Sequence, residues 1–166
     1  MLNKVKCLMG GVLMATAITS VSAEQNEVTT ELFKDWRLVC NVENQCIASQ
    51  VISIKKGDQL QNVLSLTLVK GQDSKMNLEL KLPFGLDLRS GIVTRVDTTE
   101  EEKFSFVTCM PDGCIAVMPM TKERQVSFEK GAKLTVGFRP LGNDNTVAIE
   151  ASLNGFTDVS KSLLSK

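Results

Sequence analysis

From Trp36 onward the apolar residues of this chain recur at every second position, and that rhythm constrains the fold more than any other feature of the sequence. Successive side chains of an extended strand point to opposite faces, so a period of two means sheets with one dry and one wet face, whereas a helix needs a period of about 3.6. In "WRLVC", Trp36, Leu38 and Cys40 share one face; across the "NVENQ" turn, Cys46, Ala48, Gln50 and Ile52 share another. "NVLSLTLV" sets Leu64, Leu66 and Leu68 against Val63, Ser65, Thr67 and Val69. "MNLELKL" sets Met76, Leu78, Leu80 and Leu82 against Asn77, Glu79 and Lys81. Both read as half-buried strands. "PFGLDLRSGIVTRVD" turns at Pro83 and Gly85 and then carries an edge or hairpin segment with Ile92 and Val93. "AKLTVGFRP", "LGND" and "NTVAIEASL" read as a C-terminal hairpin.

Only two stretches look helical. "TKERQVSFEKG" makes one or two turns ended by Gly131, and "NGFTDVSKSLL" places Phe156, Val159, Leu163 and Leu164 on one stripe, with Thr157 or Asn154 as N-cap. The expected fold is therefore mainly β, an antiparallel β-sandwich or flattened barrel of roughly eight to ten strands with a short C-terminal helix.

The start of the chain has a different character. Lys4 and Lys6, an apolar run from Cys7 to about Ile18, and then Val21-Ser22-Ala23 have the layout of a secretory signal peptide cut after Ala23. The run falls short of the ~20 apolar residues of a membrane-spanning helix, so no transmembrane anchor is expected once residues 1–23 are removed. Cys7 precedes the apolar stretch, whereas a lipid-modified cysteine would follow it. Residues 24–34 read as a flexible leader, loosely ordered up to about Phe33, and residues 35–166 as a single β-rich domain. Removing 23 of 166 residues leaves 143, enough for one properly buried core. The 19 basic residues less the two signal lysines give 17 against 19 acidic, a net charge of −2 with no Lys/Arg cluster. That balance argues against nucleic acid as a partner.

Four cysteines remain after Cys7, as Cys40-x5-Cys46 and Cys109-x4-Cys114. An even count in an exported chain reads as disulfides, and four cysteines allow three pairings. Local structure favours one of them. Met110-Pro111-Asp112-Gly113 has proline where a type I turn wants its fixed φ and glycine where the chain rejoins the sheet, so Cys109 and Cys114 close a hairpin with a four-residue loop. Directly opposed strand residues have Cα atoms about 4.5–5.5 Å apart, near the usual disulfide range. The same argument pairs Cys40 with Cys46, with one more loop residue. A redox-active pair is the weaker reading, because no C-x-x-C sits at a helix N-terminus to lower a thiol pKa. A four-cysteine zinc site would want tighter spacing. Met110, Met118 and Met120 near the second pair raise soft-metal binding, set against methionine's ordinary use as core filler.

The acidic run Glu100 to Glu102 reads as a solvated hairpin tip, since consecutive carboxylates on an extended chain do not converge on a cation. The chain has no histidine and no tyrosine, and no G-x-G-x-x-G or P-loop. The commonest general base, the Ser-His and Cys-His dyads and the imidazole ligands of catalytic zinc are thereby excluded. A non-catalytic protein is expected, with no catalytic residue, no metal and no cofactor.

Five segments in order resemble the invasion-associated locus B family of exported bacterial proteins: "WRLVC" with Cys46 close behind, "LPFGLDLRSGIVTRVD", "FSFVTCMPDGCIAVMPM", "EKGAKLTVGFR" and "ASLNGFTDVSKSLL". The resemblance runs from about Trp36 to Leu164. It implies a β-rich fold, a periplasmic, outer-membrane-associated or secreted location in a Gram-negative bacterium, and an association with entry into host cells. It supplies no reaction. Two functions follow. The first is a protein-binding module that contacts an envelope or host protein around Leu86–Arg95 or the acidic tip. The second is a periplasmic thiol- or metal-handling factor using Cys109 and Cys114 with the nearby methionines.

Overall fold

The computed structural model describes residues 28–71 and 75–166; the expected signal peptide, its expected cleavage site and the first residues of the expected leader lie outside that range. Along the described chain run β1 (Thr29–Phe33), β2 (Trp36–Cys40), β3 (Cys46–Lys56), β4 (Gln59–Lys70), β5 (Met76–Leu82), β6 (Ile92–Val96), β7 (Glu102–Phe104), β8 (Phe106–Met110) and β9 (Gly113–Pro119). Then come α1 (Lys122–Lys130), β10 (Lys133–Phe138), β11 (Val147–Ser152) and α2 (Phe156–Ser165). Seven strands form one antiparallel sheet in the order β1-β2-β3-β4-β5-β9-β8, and four form a second in the order β11-β10-β6-β7. Both sheets keep open edges, so the fold is a sandwich and not a barrel.

The period-two reading holds along β4 and β5, except that Val63 is buried beside Leu64. Leu64, Leu66 and Leu68 of β4 and Met76, Leu78, Leu80 and Leu82 of β5 are buried, with Leu66 opposite Leu80 and Leu68 opposite Leu78. They join Ile92 and Val96 of β6, Leu134 and Val136 of β10, and Val159 and Leu163 of α2 in one core. The chain changes sheets at Ser105, the single residue between β7 and β8, so one extended run serves both layers. Corners of this kind are where sandwich strands commonly cross between sheets.

The leader is shorter than expected. Thr29–Phe33 pairs along β2, from Thr29 opposite Cys40 to Phe33 opposite Trp36. Its pattern, "TTELF", is too polar to announce a strand, and its pairing is set by β2 and not by burial of its own. Helix α1 is also longer than one or two turns, with nine residues capped by the Thr121 side chain accepting from Arg124 N–H.

The start of α2 corrects the expected N-cap. Gly155 occupies that position at φ +94 with no side-chain cap, in place of Thr157 or Asn154. A Cβ on Gly155 would fall 2.0 Å from Phe33 O, so only glycine lets α2 begin against the β1–β2 turn. Beside it, Ser152 gathers the two sheets. Its N–H donates to Gln50 Oε1 (3.0 Å), and its carbonyl accepts from Gln50 Nε2 (3.1 Å) and Trp36 Nε1 (3.2 Å). Its hydroxyl donates to Asp35 Oδ2 (2.6 Å). Gln50 Nε2 also donates to Asp35 O (3.0 Å), so a buried amide has every partner it needs. The Trp36 ring then meets Phe156 of α2 edge-on at 5.6 Å between centroids, which seats the helix on the sheet.

Candidate functional site

Strand directions sort the loops into two ends. At one end lie the β2–β3 turn closed by Cys40–Cys46, the β6–β7 turn with the acidic run, and α1. At the other lie the tip of the β3–β4 hairpin, the 83–91 loop, the β8–β9 turn closed by Cys109–Cys114, and the 139–146 segment. The two regions expected to touch a partner are therefore separated, with Leu86 at the second end and the acidic tip at the first.

Both cysteine pairs are closed and stand directly opposite each other in register, with Cα–Cα distances of 4.0 and 3.9 Å. The second hairpin is tighter than expected, because Met110 pairs with Gly113 and leaves a two-residue turn at Pro111-Asp112. Gly113 stands at φ +147, and a Cβ there would fall 2.4 Å from Leu82 O. Closed disulfides offer no thiolate, which removes support for the thiol- or metal-handling alternative. The methionines do not converge either: Met118 and Met120 are buried in the core, while Met110 is exposed at the turn.

The acidic run divides. Glu101 pairs with Arg95 at 3.6 Å. Glu102 is not part of the tip but the first residue of β7, and its carboxylate takes Arg124 Nη2 at 2.6 Å and Nε at 3.0 Å. Arg124 lies 5.1 Å from the Phe104 ring centroid and donates to Pro119 O (2.6 Å). These contacts tie α1 to the small sheet, a structural task the sequence pattern did not announce.

The second end carries exposed apolar side chains and a cleft. Ile54, Leu60, Phe84, Leu88, Met110 and Leu141 are between 44% and 77% exposed there. Residues 53–62 of the β3–β4 hairpin are exposed on both faces and project beyond the core. The 83–91 loop is held as an extra rung: Leu86 bridges Pro140, Asp87 N–H donates to Arg139 O (2.9 Å), and Leu141 N–H donates to Gly85 O (2.8 Å). Within that loop the Asp87 carboxylate accepts from Ser90 Oγ (2.8 Å) and from Arg89 Nε (3.3 Å). The Ser90 hydrogen bond, more than Arg89, holds this carboxyl below its ordinary pKa. Lys81 likewise ties Asp112 to β5 and lowers its pKa, first through the hydrogen bond.

A cleft of about 470 Å³ opens between this loop and the outer face of the small sheet, lined by Asp87, Arg89, Lys103, Gly137, Arg139 and Thr146 among others. The 87–90 part of it falls within the Leu86–Arg95 stretch singled out in the sequence. Lys103, Gly137, Arg139 and Thr146 did not stand out there, because they come from three separate segments that only the sheet order brings together. The one signal was Gly137, a glycine inside an otherwise strand-like run.

Fold and site define a disulfide-stapled, two-sheet β-sandwich with six exposed apolar side chains and a cleft at one end. The sequence profile described as Invasion associated locus B (IalB) protein matches residues 36–164, and the chain belongs to that family. An invasion protein B homolog of Brucella abortus (strain 2308) is 28% identical over 148 residues, covering 85% of this chain and 86% of that protein. A second homolog, from Brucella abortus biovar 1 (strain 9-941), gives the same figures. The crystal structure of invasion associated protein B from Bartonella henselae superposes with a TM-score of 0.73 at 22% identity, over 82% of this chain and 96% of the other, a likeness of fold. Among the described residues no helix is long and apolar enough to cross a membrane.

Proposed function

We propose that this chain is an exported, non-catalytic protein of the bacterial envelope or surface whose loop-bearing end binds another protein, in the envelope or on a host cell. The observation that carries the reading is the gathering of six exposed apolar side chains at one end of the sandwich. Isolated surface hydrophobes are ordinary, but several together with arginines are the composition of a protein contact. The family's association with invasion supports such a contact. The signal-peptide layout of residues 1–23 supports export, with cleavage after Ala23.

A photo-crosslinking residue placed at Phe84, with the same residue at Val42 on the opposite end, tests it in intact cells. A discrete crosslinked protein from position 84 alone is the expected result. Identical products from both positions, or none from position 84, would sink the proposal. A non-reducing mass of the envelope protein equal to residues 24–166 less four hydrogens checks export and both bridges together.

A further inference from the structure

The cleft at the loop-bearing end is out of charge balance. Arg89, Lys103 and Arg139 line it against the carboxylate of Asp87, three positive charges against one negative, a net of +2. Asp87 is occupied within its own turn by Ser90 and Arg89. Lys103 and Arg139 pair with no carboxylate among the described residues. Arg139 Nε is shielded from solvent and has no hydrogen-bond acceptor among the described residues, so the protein itself leaves this guanidinium unanswered.

Gly137 points the same way on independent grounds. It lies inside β10 between Val93 of β6 and Ala148 of β11, where a strand gains from a side chain. Its φ lies outside the left-handed range, and an added Cβ would come no nearer than 3.3 Å, to the Thr146 methyl. Backbone conformation does not demand glycine here, and a Cβ would fit only if the Thr146 methyl gave way by a few tenths of an ångström. A bare position in the lining of a cleft is where a ligand approaches the backbone.

We propose that this cleft binds a phosphoryl group carried on a polar, sugar-sized body. A phosphate monoester brings close to two negative charges and three terminal oxygens, which match a net of +2 and the donors of Arg139, Lys103 and Thr146. A carboxylate has one charge and leaves a cation unanswered. The volume, about 470 Å³, lies within the usual small-molecule range of about 300–1,000 Å³ and leaves room for more than the phosphate. The phosphoryl group has two sources, a membrane lipid headgroup or a soluble phosphorylated sugar. The inference goes beyond the protein-contact reading, since the exposed apolar side chains and the cleft lining are different residues.

Calorimetry on the purified, disulfide-closed protein with glucose 6-phosphate and with glucose tests the soluble source. Co-sedimentation with phosphatidylcholine vesicles, with and without phosphatidic acid, tests the lipid source. Binding is expected only where the phosphate monoester is present, and it should weaken as salt is added. R139Q and K103Q should each weaken it about tenfold or more, while K161Q on α2 leaves it unchanged. G137V keeps every charge, fills the cleft and should abolish binding; its melting temperature is read alongside, because the valine presses on the Thr146 methyl, and K103Q carries the test should G137V unfold. Should R139Q fail to fold, K103Q and G137V carry the test. Absence of binding in both arms overturns the proposal, as does binding that K161Q weakens as much as K103Q. F84S should spare phosphate binding, so loss of the position-84 crosslink and loss of the anion site are read separately.

Discussion

Gln50 ties the sandwich together through one side chain, and replacing it with methionine, similar in length and without polar atoms, isolates that contribution. Q50M removes three hydrogen bonds, to Asp35 O, Ser152 O and Ser152 N–H. Ser152 O retains Trp36 Nε1, but Ser152 N–H loses the acceptor it has in Gln50. At about 1 kcal/mol net for each of the two bonds from Nε2, about 1–3 kcal/mol for the Ser152 N–H left without an acceptor, and about 1 kcal/mol recovered by apolar burial of the thioether, the loss comes to roughly 2–4 kcal/mol. The assay is urea unfolding followed by tryptophan fluorescence. Trp36 is the only tryptophan, is buried, and bonds the same serine, so the probe sits at the perturbation. With a slope of about 2 kcal/mol per molar, the midpoint should fall by about 1–2 M. Q61M on the exposed part of the β3–β4 hairpin should stay within about 0.5 kcal/mol of the parent. A Q50M midpoint as close to the parent as that of Q61M would refute the argument that the buried amide joins the sheets.

G155A should cost more than about 3 kcal/mol or prevent folding, because the methyl meets Phe33 O and the φ of +94 suits only glycine; a melting temperature near the parent's would show that α2 can begin elsewhere. Replacing Cys109 and Cys114 together with serine should destabilise by about 2 kcal/mol, as a short closed loop constrains the unfolded chain only modestly, and a loss above about 5 kcal/mol in urea unfolding would contradict that account. Asp87 is held below its ordinary pKa, so the turn it anchors is fully supported above the unfolded aspartate value of about 3.9 and loses that support as pH falls through the depressed folded value. A carbon-13 titration of the Asp87 carboxyl should have its midpoint under that of a model aspartate, and a midpoint above it would remove the Ser90 hydrogen bond as cause.

The core could be read from the sequence almost position by position, because burial on one face imposes alternation that nothing else in a strand mimics. The cysteine hairpins were legible for the same reason: each pair brackets turn residues between two such runs, and both pairs are closed in register. β1 was not legible, since an edge strand whose residues are mostly exposed carries no apolar rhythm. Nor was the cap of α2, where the choice of glycine is dictated by Phe33 O, more than a hundred residues earlier in the chain. The cleft was half legible. Asp87 and Arg89 lie in a stretch that stood out, but Lys103, Gly137 and Arg139 meet them only through the order β11-β10-β6-β7, which no local pattern encodes.

The two bridges have a consequence for how the chain acquires its oxidised form. Each joins cysteines that are neighbours in chain order, six and five residues apart, at opposite ends of the larger sheet. For a chain that emerges N-terminus first into an oxidising compartment, the correct partner of each second cysteine is the one that appeared immediately before it. Short loops also close more readily than the long ones that mispairing Cys40 with Cys109 or Cys114 would need. A thiol oxidase acting in order of emergence therefore completes both bonds without a reshuffling enzyme, and the strand register already in place holds each pair at the distance its bond requires.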